Sequence, residues 1–84
     1  MVDLIKRQEN EKKFPNFKEQ PDGSRIYWFE IEGRLGWKAK YLKTVDHHEI
    51  TLSFCQEIYD SNGFLAEIHE KYPIDKGHLK IARP

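Results

Sequence analysis

A single cysteine, Cys55, leaves this chain without an internal disulfide, so it must fold without that staple. No apolar stretch approaches the ~18 residues of a membrane span, and residues 1–13 lack the apolar centre of a secretory signal. Net charge is missing as well, with Lys+Arg 14 against Asp+Glu 14. That balance argues against a basic coat for nucleic acid and against an acidic tail. There is no repeat or low-complexity tract to suggest a solenoid or a linker. What remains is 84 residues, 38% hydrophobic and 13% aromatic, enough for one domain with one modest core. A chain this short buries only about 60–65% of its unfolded surface, so a small stability margin is expected. These features predict a soluble, cytoplasmic domain that makes no membrane contact.

Two regions differ in composition. Residues 1–23 form an arm or short helix. Between residues 2 and 13 only Val2, Leu4 and Ile5 are apolar, too few for an amphipathic stripe, which leaves a frayed helix and a flexible arm both open. Pro15 pushes Phe14 towards extended geometry. Gln20-Pro21-Asp22-Gly23 reads as a turn, with proline setting one φ and glycine free to take a positive one. From Ser24 onward, β-branched and aromatic residues alternate with polar ones. Four strands are predicted, at residues 24–32, 36–45, 50–59 and 64–72. Short connections make them hairpins, hence a mostly β fold: a four-stranded antiparallel meander in the order 1-2-3-4, or α+β if the arm is helical. The firmest turn is Asp60-Ser61-Asn62-Gly63, which suits a type I turn with a glycine bulge.

A register follows from pairing Ile31 with Trp37, Val45 with Ile50 and Asp60 with Phe64. One face then carries Ile31–Trp37–Ile58–Ala66, Phe29–Ala39–Gln56–Ile68 and Tyr27–Tyr41–Phe54–Glu70. This face needs a lid, from Leu4, Ile5, Phe14, Phe17 or the tail. The other face carries Glu30–Lys38–Glu57–Glu67, Trp28–Lys40–Cys55–His69 and Ile26–Leu42–Ser53–Lys71, in which opposite charges meet across strands. The first hairpin is the least constrained, because Ile26 and Trp28 are as apolar as Tyr27 and Phe29.

Chemistry-bearing residues admit several readings. Cys55 beside His69 is a candidate nucleophile and base, with Lys40 expected to raise the thiolate fraction; the competing reading is a small filler beside a polar neighbour. His47-His48 with Asp46 and Glu49 lack metal-ligand spacing, and a polar hairpin tip is expected there rather than a metal site. Trp28, Arg34, Lys38, Lys40 and Lys43, joined by Lys71 and Lys76, combine aromatic and basic groups in the manner of an RNA-contacting sheet. Glu30, Glu57 and Glu67 on the same face oppose a polyanion and favour an ordinary solvated surface. After the last predicted strand, Asp75, Lys76 and His78 offer a base, a phosphate contact and an acid, with a simple turn as the alternative.

At Asp75, Lys76-Gly77-His78 and Lys80 the chain resembles the small prokaryotic toxins of the TumE type. In those proteins a two-strand unit leads to an Asp, then Lys-Gly, then a basic, His-containing end. The resemblance covers about the last third of the chain, and the clustered terminal histidines of that family are reduced here to His78. It implies a toxin–antitoxin component acting on RNA or nucleotides, with an antitoxin partner and with Asp75, Lys76 and His78 in the site. Two function classes follow. The first is a toxin-like, RNA-directed protein using His69, Asp75, His78 and the basic residues. The second is a non-enzymatic interaction module that pairs with a second copy or a small partner through a sheet edge or apolar face. Neither calls for a cofactor.

Overall fold

Leu4–Lys13 form helix α1 in a computed structural model that describes residues 2–81. Asp3 caps it, its carboxylate accepting the Lys6 amide at 3.1 Å, and Lys12 and Lys13 stand at the carbonyl end, where positive charge is favoured. Phe14 is extended, as the following proline requires, and ends the helix. The rest is one antiparallel sheet of six strands in sequence order: β1 Asn16–Glu19, β2 Arg25–Glu32, β3 Lys38–Val45, β4 Thr51–Tyr59, β5 Leu65–Tyr72 and β6 His78–Lys80. The meander and the four central strands agree with the sequence reading. The count does not, because β1 and β6 were not predicted. Both are only three or four residues long and exposed, too short for alternation to mark them.

Helix α1 lies over one end of one sheet face. Its contact is mostly polar, which explains why hydrophobic periodicity left its docking open. Glu49 accepts from Arg7 Nε at 2.9 Å and from the Tyr27 hydroxyl at 2.5 Å. Arg25 pairs with Glu11 at 3.2 Å and with Glu19 at 3.1 Å, and Lys43 donates to Asn10 at 2.8 Å. Beneath these bonds sit the fully buried Phe14, Tyr27 and Val45, with Phe29 and Phe54 packed against them. Phe14 meets Tyr27 and Phe29 at ring distances of 5.9 and 5.4 Å. The expected lid residues Leu4, Ile5 and Phe17 are instead exposed. No helix among the described residues lies over the other half of this face.

Three corrections to the register follow from the turns. Gly33 pairs with Trp37 around a 3₁₀ turn at Arg34–Gly36, so Ile31 opposes Ala39 rather than Trp37. The second hairpin pairs Asp46 with Ile50 and adds a bulge after Thr44. Each change moves its pairing by two residues, so β2, β3 and β4 keep their predicted faces. The third hairpin does pair Asp60 with Phe64. One step further on, however, a bulge at Ile58/Tyr59 shifts the register by a single residue, giving Ile58↔Glu67 and Gln56↔His69. A one-residue shift inverts every side chain beyond it. Glu67, His69 and Lys71 therefore share the helix-bearing face with Phe29, Tyr41 and Gln56, while Ile68 and Glu70 go to the other side; a second bulge at Phe54/Cys55 then pairs Phe54 with Tyr72 and returns Tyr72 to the helix-bearing face beside Lys71.

Candidate functional site

The inverted strand β5 creates the cluster of interest. His69 lies on the open half of the helix-bearing face, and its cross-strand partner on β6 is His78. Their rings are 4.5 Å apart. Between them in sequence, residues 73–77 turn the chain. Asp75 stabilises that turn by accepting the Gly77 amide at 2.9 Å, and Gly77 takes the positive φ of 68° that the turn requires. The same carboxylate reaches back to His69 Nε2 at 2.5 Å. These bonds, that from His69 above all, hold the Asp75 carboxyl below its usual range. Glu67 approaches His78 Nδ1 at 3.6 Å.

The two histidines differ in exposure. The His69 side chain is 15% exposed, and its Nδ1 is buried without a hydrogen-bond partner among the described residues. The His78 side chain is 47% exposed. His69 is thus held by Asp75, and His78 is the imidazole that an external molecule reaches. Beside them Lys71 places its ammonium 5.4 Å from the Tyr41 ring and 6.0 Å from that of Phe54. Phe29, Tyr41 and Phe54 form a stacked cross-strand row with ring distances of 4.9 and 6.3 Å, and Gln56 donates to the Tyr41 hydroxyl at 3.1 Å. Where the helix-covered half of this face meets the open half, an aromatic row thus adjoins a cation and an accessible proton-transfer group.

His69, Asp75 and His78, named from the sequence as candidate catalytic residues, come together here. Cys55 does not. It opposes Glu70 on the other face of the sheet, so a Cys55–His69 pair does not form. Its thiol is raised by burial first, then by Glu57 and Glu70, the reverse of the activation expected from Lys40.

The predicted nucleic-acid set is divided between faces. Trp28, Lys38 and Lys40 lie on the Cys55 side, where Lys40 Nζ sits 5.3 Å from the Trp28 ring and Lys38 is 3.8 Å from Glu30. Trp28 opposes Leu42 rather than Lys40. Arg34 lies in the first hairpin turn. Lys76 pairs with Glu70 at 2.9 Å. Lys43 is drawn under the helix by Asn10, and Lys71 joins the histidine cluster. His47 and His48 lie with ring centroids 3.9 Å apart, tilted at 44°, in their hairpin tip, and no group of three or more His, Cys, Asp or Glu among the described residues is arranged to hold a metal ion.

Sequence reasoning missed Tyr41, Gln56 and Glu67 as parts of this site, because it put β5 on the wrong face. It also missed Glu49, whose φ of 69° puts a non-glycine residue in the left-handed region. The signal was present: Asp46-His47-His48-Glu49 has the same bonding as Asp60-Ser61-Asn62-Gly63, with an Asp Oδ1 accepting two amides and the left-handed residue in fourth place. No helix among the described residues is long and apolar enough to cross a membrane. No family model matches the chain, and neither a curated protein nor a solved structure is significantly similar to it.

Proposed function

We propose that this chain is a small RNA-directed protein of the toxin type, which takes single-stranded RNA on the open half of its helix-bearing face. The observation that carries this reading is the meeting of Lys71, His69, Asp75 and His78 beside the Phe29–Tyr41–Phe54 row. Single-stranded nucleic acid is held by cations on its phosphates and aromatic side chains against its bases. Lys71 supplies the phosphate contact. His78 is placed to accept or donate a proton at a bound phosphodiester, with Glu67 beside it. His69, tied to Asp75, keeps β6 and the ring of His78 in position. The Trp28, Lys38 and Lys40 surface is the less favourable side, because Glu30 and Glu57 face the same lysines across the strands.

The test is fluorescence anisotropy of a short labelled single-stranded RNA at about 50 and about 200 mM salt, a range over which phosphate-dominated binding weakens steeply. Lys71→Glu is expected to weaken binding about tenfold or more, the effect of losing one charge-assisted phosphate contact and adding a repulsive charge. Lys38→Glu with Lys40→Glu is expected to leave affinity within about threefold, since each is already beside an acid. If the double variant abolishes binding while Lys71→Glu does not, the RNA lies on the other face and this assignment is wrong.

One observation favours the interaction module instead. At the end of the sheet where the β2–β3 and β4–β5 hairpins turn, Ile31, Leu35, Trp37 and Phe64 are exposed. Leu35 is 89% exposed at a φ of 57°, a left-handed conformation that is strained for a residue with a side chain. Such an apolar tip suits a second copy or an antitoxin-like partner. Light scattering of wild type and Leu35→Asp at matched concentrations separates the readings: a dimer lost in the variant supports the module, and a monomer in both opposes it.

A further inference from the structure

Helix α1 does not close down fully on the sheet. Between it and strands β3, β4 and β5 lies a cleft of about 550 Å³, inside the range typical of small-molecule sites. Three ammonium groups, those of Lys6, Lys13 and Lys43, border it. Lys43 is half-buried, with Asn10 as its hydrogen-bond partner. Burial first, then the nearby Lys13 and Lys6, disfavour its charge, while Glu49 and Glu9 favour it, and an anion here would offset the burial cost of the ammonium group. Glu9 and Glu49 are the acids of the cleft wall, and the charge of Glu49 is matched by Arg7. The apolar wall is aromatic, made by Phe54 and Tyr72 with Phe14 behind.

The remaining wall is Glu49. Its side chain is fully buried, and both of its protein bonds fall on Oε1. Oε2 is buried with no hydrogen-bond partner among the described residues. A buried carboxylate oxygen left unpaired is costly, and here it belongs to a residue held in the strained left-handed region. A strained residue with an orphaned acceptor thus lines the same cleft as three cations, a combination that a ligand could complete.

We infer that this cleft binds a small phosphorylated molecule with a planar, amine-bearing ring: its phosphate on Lys6, Lys13 and Lys43, its ring against Phe54 and Tyr72, and an N–H donated to Glu49 Oε2, which the ligand must uncover as it enters. Three cations match a phosphate dianion better than a single carboxylate, and a flat ring fills the aromatic wall. The cleft adjoins the proposed RNA site and shares Phe54 with its aromatic row, but it uses none of Lys71, His69, Asp75 or His78, and the inference does not depend on the RNA reading.

Adenosine monophosphate is the probe, titrated into the isotope-labelled full chain by amide NMR, with adenosine and inorganic phosphate as parallel arms. Saturable shifts at Lys6, Asn10, Ile50 and Thr51 are expected. Phosphate alone and adenosine alone should each bind about tenfold more weakly, because each keeps only part of the contacts. Lys6→Glu with Lys13→Glu, both at exposed positions, should weaken the nucleotide by about tenfold or more, whereas Lys12→Glu on the same helix should change it less than about twofold. If the double variant loses its native spectrum, Lys13→Glu alone should weaken binding about threefold. The inference is overturned if phosphate or adenosine alone matches the nucleotide, if the shifts fall at Lys71 and His78 instead, or if no cleft amide shifts at millimolar nucleotide.

Discussion

Replacing Glu49 by glycine sets two effects against each other, and the structure says which should win. The residue stands where the homologous turn of the third hairpin has Gly63, and both take a positive φ, 69° and 84°. Relieving the left-handed strain of a side-chain-bearing residue is worth about 1–2 kcal/mol. Against that, Glu49→Gly removes a carboxylate that accepts from Arg7 and from the buried Tyr27 hydroxyl, and hydrogen bonds to a charged group contribute about 1.5–3 kcal/mol each. Arg7 is partly exposed and regains water, so its share falls at the low end. The Tyr27 hydroxyl, in a residue with no exposed surface, keeps only a 3.4 Å contact to Arg25. Removal of the unpaired Oε2 offsets part of this loss, so the net result is a loss of about 1 kcal/mol, which in a domain of this size lowers the melting temperature by roughly 4–8 °C. Thermal unfolding followed by circular dichroism reads this directly. The same substitution in a Tyr27→Phe background should cost about 1 kcal/mol less, since no buried hydroxyl is then orphaned. A rise in melting temperature for Glu49→Gly would refute the reasoning, showing that strain outweighs the polar tie between helix and sheet.

Gly63→Ala should destabilise by about 1 kcal/mol in urea titration, from backbone strain alone, since a methyl group there meets nothing within 4 Å. Asp22, Asp46 and Asp75 all have carboxyl groups held below their usual range, by hydrogen bonds from Ser24, from the Ile50 and His48 amides, and from His69 with Gly77. The unfolded chain therefore takes up protons first as the pH falls below about 4–5, so unfolding becomes easier and the melting temperature should drop through this range. Asp46→Asn should flatten that acid slope, and an unchanged slope would show that the turn bonds contribute nothing. The Tyr59 phenol is pushed up to about 12 by burial and by its bond to Glu57, so its ultraviolet titration should lag behind that of an ordinary tyrosine, whereas Glu57→Gln should bring it down. Cys55 should react slowly with a thiol reagent at neutral pH, because burial raises its thiol; fast modification would contradict the environment described.

The alternation from Ser24 to Tyr72, the short connections and the Asp60-anchored turn were enough to determine four strands, their antiparallel order and the inward faces of β2, β3 and β4. Period-two patterning is local, and turn chemistry is carried by a few residues, so both are legible in a single sequence. Three features were settled only by the tertiary structure. The docking of α1 rests on Arg7–Glu49, Glu11–Arg25 and Asn10–Lys43, pairs 14 to 42 residues apart that no periodicity reveals. Strands β1 and β6 are too short to stand alone and exist because an edge of the sheet is there to pair with. The candidate site turned on one bulged residue near Tyr59. Without it, His69 would stand with Cys55 and Trp28. With it, His69 crosses the sheet to meet His78, Asp75 and Lys71, because in a pleated strand a single added residue reverses the side chains that follow until another bulge intervenes, here the one that pairs Phe54 with Tyr72.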